Sequence, residues 1–328
     1  MTSKIEDRVI RQRTLAKEFQ LCGRGVHTGE QVCMTVSPAE PDVGICFLRT
    51  DQPPARGLIL ARWSNIVNAQ YSTDLGNAAG VTVRTVEHLL AALRLGGVDN
   101  ALIELDGPEV PAMDGSAAPF LRRIEHVGTV EQDVPARTLV LLRSVEVCTG
   151  NRYVRLSPSL NPRLVVSIDF PGTPVGMQSV IAAWNDDFFR REIAPARSFG
   201  FAVDHAALLE RGHARGADLS NTVVVDGEEI RNPGGLRYPD EFVRHKVLDA
   251  IGDLSLGGWP MRATYVGFKP GHALHARLLR KLFEQELDAW TLVPSLTDWS
   301  APVESERSTV SFRRAVPSYQ DSAASSVR

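Results

Sequence analysis

The chain contains no uninterrupted apolar run of the roughly 18 residues that a membrane-crossing helix needs, and its polar start, Met1 to Asp7, lacks the hydrophobic centre of a signal peptide. No transmembrane segment is therefore predicted, and a cytoplasmic location is expected. A basic excess is missing too. The formal net charge is -3, which argues against a general nucleic-acid binder, since such proteins neutralise phosphates with clustered Lys and Arg. The four cysteines, Cys22, Cys33, Cys46 and Cys148, show no CxxC pairing; reduced, structural thiols in a reducing compartment are expected. No internal repeat is visible by eye. Also missing is the helix that should follow a phosphate-cradling glycine loop: Gly23 to Gly29 is glycine-rich, but Val32 to Val36 reads as a strand.

What is present is a soluble-protein composition, with 43% hydrophobic residues over 328 positions, enough for two cores. Extended patterns at Val32 to Val36, Leu102 to Leu105 and Thr138 to Leu142 alternate with two strongly helical stretches, 85–95 and 241–256, giving an α+β class. The patterning breaks near Thr129 to Ala136, which suggests a first domain over 9–132 and a second over 136–297. The Ser-rich 318–328 reads as a disordered tail.

The chemistry concentrates in three segments. In the helical stretch from Asp240 to Leu254, at about 3.6 residues per turn, His245, Asp249 and Asp253 fall at i, i+4 and i+8 on one stripe beside Lys246. An imidazole and a carboxylate one turn apart can converge on one cation. The bland reading, a solvated helix face, has to accommodate Phe242 and Gly252 on the same stripe, an aromatic and a helix-weakening residue among charges. In the second segment, Arg84 to Leu93, Val86, Leu89, Leu90 and Leu93 mark a core face and Thr85 is placed to cap the helix. His88 projects opposite that face, next to Glu87 and flanked by Ala91 and Ala92. A zinc hydrolase needs three protein ligands, an open position and a carboxylate base; His88, His245 and Asp249 supply the first and Glu87 the last. The third segment follows the Pro270-Gly271 turn, where His272 can present an imidazole to a cleft with Asp253 holding its second nitrogen. His275, His205, His213 and His126 are expected at the surface, and Asp114 is expected to act as a loop hydrogen-bonding residue.

Val86 to Leu89, Pro111 to Ala117, Ala196 to Phe201, Asp240 to Leu254 and Gly271 to Leu274 together resemble, in the same order and at similar separations, the UDP-3-O-acyl-N-acetylglucosamine deacetylases. The resemblance runs from about Arg11 to about Val293. It implies two similar layered helix/sheet domains with the site between them, a Zn²⁺ cofactor, and removal of acetate from a UDP-linked, 3-O-acylated glucosamine in lipid A synthesis. It places zinc ligands at His88, His245 and Asp249, the base at Glu87, a second catalytic histidine at His272 supported by Asp253, and an oxyanion hydroxyl at Ser198. Substrate contacts implied in the same way are Lys246, Phe170, Phe199, Asp204, Lys269 and His27, the last toward the diphosphate. The partner implied is the small-molecule substrate, with the protein acting as a monomer. Three positions depart from the family: Ser198 stands where Thr is usual, Phe170 where a His commonly precedes Pro171, and His213 and Asp218 make the segment 211–222, expected to wall the acyl passage, more polar. The alternatives are a paralogue with a shifted acyl or amino-sugar substrate and a non-catalytic UDP-amino-sugar sensor.

Overall fold

The structure is a computed structural model and describes residues 9–296; the tail expected over 318–328 lies outside that range. Its two largest sheets are built from alternating inward and outward side chains. In the strand Gln31–Pro38, Val32, Met34 and Val36 point inward, and in Arg163–Phe170 the same role falls to Leu164, Val166 and Ile168, the period of two that buries one face of a sheet.

Each sheet has five strands. The first runs in the order Phe19–Arg24, Gln31–Pro38, Ala101–Leu105, Ile45–Arg49, Leu58–Leu60; the second in the order Val145–Thr149, Arg152–Ser157, Thr264–Phe268, Arg163–Phe170, Gly176–Ala183. The pairings correspond step by step. The strand Ala101–Leu105 is antiparallel to Gln31–Pro38 and parallel to Ile45–Arg49, and Thr264–Phe268 is antiparallel to Arg152–Ser157 and parallel to Arg163–Phe170. The repeat invisible in the letters is thus present in the topology, because strand order depends on apolar spacing and not on identity. The expected junction, 129–136, is itself largely a strand, Thr129–Pro135, paired antiparallel with Arg11–Leu15.

The helix Glu87–Leu95 lies against Glu241–Ser255 at the centre of the molecule. Both are buried almost all round: Leu89, Ala91, Ala92 and Leu93 on one, Val243, Val247, Leu248 and Ala250 on the other. The charged stripes read from the sequence therefore face protein, not solvent. Gly252 makes this crossing possible, since a Cβ there would stand 2.0 Å from the Glu87 carbonyl oxygen. A buried Arg197–Glu241 ion pair, with Arg197 Nε 2.8 Å from Glu241 Oε1, secures the start of the second helix, and Arg244 bridges Asp240 and Glu192.

The expectation of four reduced cysteines is corrected for one pair. Cys22 and Cys33 are register partners on adjacent antiparallel strands and form a disulfide, with Cα atoms 4.1 Å apart. Cross-strand register brings them together, a signal that CxxC spacing does not carry. Cys46 and Cys148 are free. No helix among the described residues is long and apolar enough to cross a membrane.

Candidate metal centre

His88 stands in the first turn of Glu87–Leu95, and His245 and Asp249 are one turn apart on Glu241–Ser255. Their ligand atoms converge. His88 Nε2 is 3.2 Å from His245 Nε2, and each lies 3.4 Å from Asp249 Oδ1. A small cation bound tetrahedrally through bonds of about 2.0–2.1 Å holds its ligand atoms about 3.3–3.4 Å apart, so these three atoms already form one face of such a tetrahedron. Asp249 Oδ1 is buried without a hydrogen-bond partner, whereas Oδ2 accepts from Lys246 Nζ at 2.8 Å. The protonation states suit ligation as well. Burial, against the pull of Asp249, pushes the His245 imidazole well below its ordinary value and leaves it neutral. Burial alone would raise the Asp249 carboxyl, but His245, Lys246 and His272 outweigh that and hold it well below the usual range. Two imidazole nitrogens and a carboxylate oxygen are the donor set the geometry presents, so the residues fit a divalent metal.

Glu87 and His272 border this triangle with opposite tendencies. Burial pushes the Glu87 carboxyl up to about 7, against the pull of His272, and its Oε2 accepts from the Thr73 amide at 3.0 Å. Burial alone would lower His272, but Asp253, Asp249 and Glu87 outweigh it and hold the imidazole up at about 10. Its Nδ1 donates to Asp253 Oδ2 at 2.8 Å, and its Nε2 is 3.9 Å from Asp249 Oδ2, so the free edge of the ring faces the ligand cluster. A carboxylate that ionises near neutrality beside an imidazolium is a base and an acid kept apart by their surroundings.

Thr73 was missed by sequence reasoning. It joins the two groups, with its amide on Glu87 and its hydroxyl on Asp253 Oδ1 at 2.5 Å, and no local pattern signals it. His275, expected at the surface, is only 1% exposed; its Nδ1 reaches Asp253 Oδ2 at 2.7 Å. The position i+3 from His272 was the available clue. His126 and His205 are exposed as expected. Thr85 does not cap its helix: it adopts a positive φ of 57° and its hydroxyl donates to Glu109.

The remaining sequence-selected residues fall into two groups. Phe199 packs edge-on to His245 at 5.7 Å and to Phe170 at 5.9 Å, with Lys246 Nζ 5.4 Å from its ring. Lys269 pairs with Asp169, the chain neighbour of Phe170, at 2.9 Å. Ser198 precedes Phe199 and is held by its main chain between Gly115 and Val223. His27 belongs elsewhere. The amides of His27 and Thr28 and the Thr28 hydroxyl all donate to Glu109, itself fully buried, so the glycine-rich loop carries its own built-in anion. Its ring packs on His213, which also contacts Tyr71 and Arg84 Nη2, the last at 3.0 Å. His213 is half-buried and partnered, and Asp218 is exposed and accepts from the Ser220 amide. Asp204 is exposed ahead of the His205–Glu210 helix. Asp114 accepts from the Ser116 amide and hydroxyl and from Arg237, the loop role expected of it.

Comparison with known proteins adds a family. Residues 12–284 match the family model described as UDP-3-O-acyl N-acetylglycosamine deacetylase. The chain is similar to the UDP-3-O-acyl-N-acetylglucosamine deacetylase of Myxococcus xanthus, 46% identical over 285 residues that cover 87% of this chain and 90% of the relative. It is similar also to those of Phenylobacterium zucineum, 44% identical with 85% and 95% covered, and Shewanella oneidensis, 40% identical with 90% and 96% covered. The family match spans most of the chain and the relatives are covered nearly end to end, and on that ground the chain belongs to the UDP-3-O-acyl N-acetylglycosamine deacetylase family.

Proposed function

We propose that this protein hydrolyses the N-acetyl group of UDP-3-O-acyl-N-acetylglucosamine, releasing acetate and the free 2-amine for lipid A synthesis, and that its metal is zinc. The observation that carries the reading is the Glu87 carboxyl and the His272 imidazolium flanking one triangle of ligand atoms; a sensor of the same substrate would need no such base and acid. His88, His245 and Asp249 hold the ion. Zinc, when bound there, supplies Lewis-acid polarisation and lowers the pKa of a water to roughly 7.

Glu87 takes the proton of the attacking water as it adds to the acetamide carbon. His272, cationic, faces the negative charge that develops on the carbonyl oxygen and then delivers its proton to the departing nitrogen, while Asp253 fixes its ring through Nδ1. Ser198 offers a further hydroxyl to the same oxygen. Phe170, Phe199, Lys246 and Lys269, an aromatic surface with two cations beside the ligand cluster, suit the nucleotide and sugar end of a UDP-linked substrate. A cytoplasmic site of action accords with a nucleotide-linked substrate. Incubating the purified zinc-loaded protein with UDP-3-O-acyl-N-acetylglucosamine of several acyl lengths should release acetate and form the free amine; no acetate from any of them defeats the reading.

A further inference from the structure

Asp253 is the hub of a buried hydrogen-bond unit larger than the Asp253–His272 pair. On the helix His272–Arg280, His272 and His275 are i and i+3 and share a face. Both present Nδ1 to the same carboxylate oxygen, Asp253 Oδ2, at 2.8 and 2.7 Å. The other oxygen accepts the Thr73 hydroxyl. On its far side His275 Nε2 is 2.7 Å from the Tyr265 hydroxyl, and Tyr265 is itself buried on the central strand of the second sheet.

One arrangement of the protons gives every group in this unit a partner. In it the Tyr265 hydroxyl donates a hydrogen bond to His275 Nε2, and His275 donates from its Nδ1–H to Asp253 Oδ2. Tyr265 thus selects the tautomer of His275. Asp253 Oδ2 accepts from both rings, and with Thr73 on Oδ1 the carboxylate has no freedom to turn. His275 is too deeply buried to meet substrate and is not among the three metal ligands.

We infer that His275 is a positioning residue: by clamping Asp253 it holds His272 in the orientation from which His272 acts on the acetamide, and Tyr265 holds His275 in turn. The inference rests on the proposed role of His272 in deacetylation. Supporting hydrogen-bond partners of this kind typically contribute 10- to 100-fold in activity, so His275→Leu should lower kcat about 10- to 100-fold, with KM within about twofold and bound zinc unchanged. His275→Asn, whose amide places a donor near the position of Nδ1, should restore most of the loss. In a His272→Ala background, His275→Leu should cost nothing further, since residues acting through one another are not additive. A purely structural role would lower activity additively and would not distinguish Asn from Leu.

A readout independent of turnover separates this inference from the proposed function. In ¹⁵N-histidine-labelled, zinc-loaded protein, the hydrogen-bonded Nδ1 proton of His272 should give a downfield, slowly exchanging resonance. It should broaden or vanish in His275→Leu and persist in His275→Asn. Acetate not released by the wild type defeats the proposed function, whereas a resonance unaltered in His275→Leu, wild-type kcat in that variant, additive losses with His272→Ala, or an Asn variant as impaired as Leu each overturns the role of His275. Should the Leu variant fail to fold, Tyr265→Phe takes its place. Losing one hydrogen bond should lower kcat about 2- to 10-fold at constant KM, and unchanged kcat with an unchanged resonance overturns the inference equally.

Discussion

At the scale of single residues, the proposed mechanism depends on keeping Glu87 and His272 in opposite protonation states. Glu87 must be ionised to accept a proton, and burial has brought its pKa up to about 7; His272 must be protonated to donate one, and neighbouring carboxylates hold it at about 10. Activity should therefore fall as pH drops through the Glu87 value and again as pH rises through the His272 value. A bound divalent cation favours the ionised carboxylate and opposes the imidazolium, so the bell measured for kcat should have its limbs at or below those two values. Asp253→Asn removes the largest influence raising His272 and should shift the alkaline limb toward lower pH; a limb that stays in place would assign that titration to another group. Glu87→Ala should retain about one zinc per chain while losing roughly 100- to 10,000-fold in kcat, as measured by metal analysis beside turnover. Ser198→Ala should lower kcat about 10- to 1,000-fold, and Ser198→Thr should preserve it. Glu87 was legible beside His88 in a helical segment, Asp253 at helical spacing from Asp249 and His272 from its place after the Pro270-Gly271 turn, whereas Ser198 came from the family resemblance alone. Thr73, Glu109 and His275 were not legible, for a physical reason: their partners lie far away in sequence, 180 positions in the Thr73–Asp253 case, and only tertiary packing makes them partners.

At the scale of elements, the two central helices were legible to within a few residues, since the apolar repeats of 85–95 and 241–256 are long and their ends carry turn residues. What the helical wheel could not give was the surroundings of each stripe. An exposed charged stripe and one buried against a second helix have the same spacing; Gly252 and Phe242 were the clues that separated them. Gly252 meets the Glu87 backbone so closely that a Cβ would lie 2.0 Å from its carbonyl oxygen. Exchanging Gly for Ala inside a helix ordinarily adds about 0.8–1.0 kcal/mol of stability. Here the neighbour is backbone, which cannot swing aside, and overpacking costs typically 1–3 kcal/mol. Gly252→Ala should thus destabilise the protein on balance, and because the displaced group is Glu87 it should lower kcat by more than the loss of folded protein accounts for. Chemical denaturation and turnover on the same sample decide this; a variant more stable than wild type with full kcat would mean that the helices do not cross this closely. The backbone turns that aim the site are strained as well. Thr85 and Lys269 adopt positive φ, 57° and 49°, shortly before Glu87 and His272, and such conformations persist only where tertiary contacts hold them. Propensity rules place neither.

At the scale of the whole molecule, the two sheets of identical strand order each contribute one of the central helices, and the ligand set is divided between them: His88 from the first half, His245 and Asp249 from the second. The sequence hid this repetition because sheet topology is conserved by spacing and connection, while the residues that fill the two cores differ. It also concealed the Cys22–Cys33 disulfide, which only the register of the first hairpin reveals. The division of ligands has a thermodynamic consequence. A cation bound by groups from both halves of the fold stabilises the native chain by RT ln(1 + [L]/Kd), about 2.7 kcal/mol when the free ion is 100-fold above Kd, and it does so only while the two helices remain packed together. In a protein of this size that corresponds to a rise in Tm of roughly 3–5 °C. Chelation should therefore lower the melting temperature by that order, with the two halves still unfolding in one transition because the Glu87–Leu95 and Glu241–Ser255 helices share one core. Asp249→Ala should melt at the same temperature with and without zinc. The two measurements must agree: if chelation abolishes acetate release yet leaves Tm where it was, the ion is bound by one half alone, and the triangle formed by His88, His245 and Asp249 is not its site.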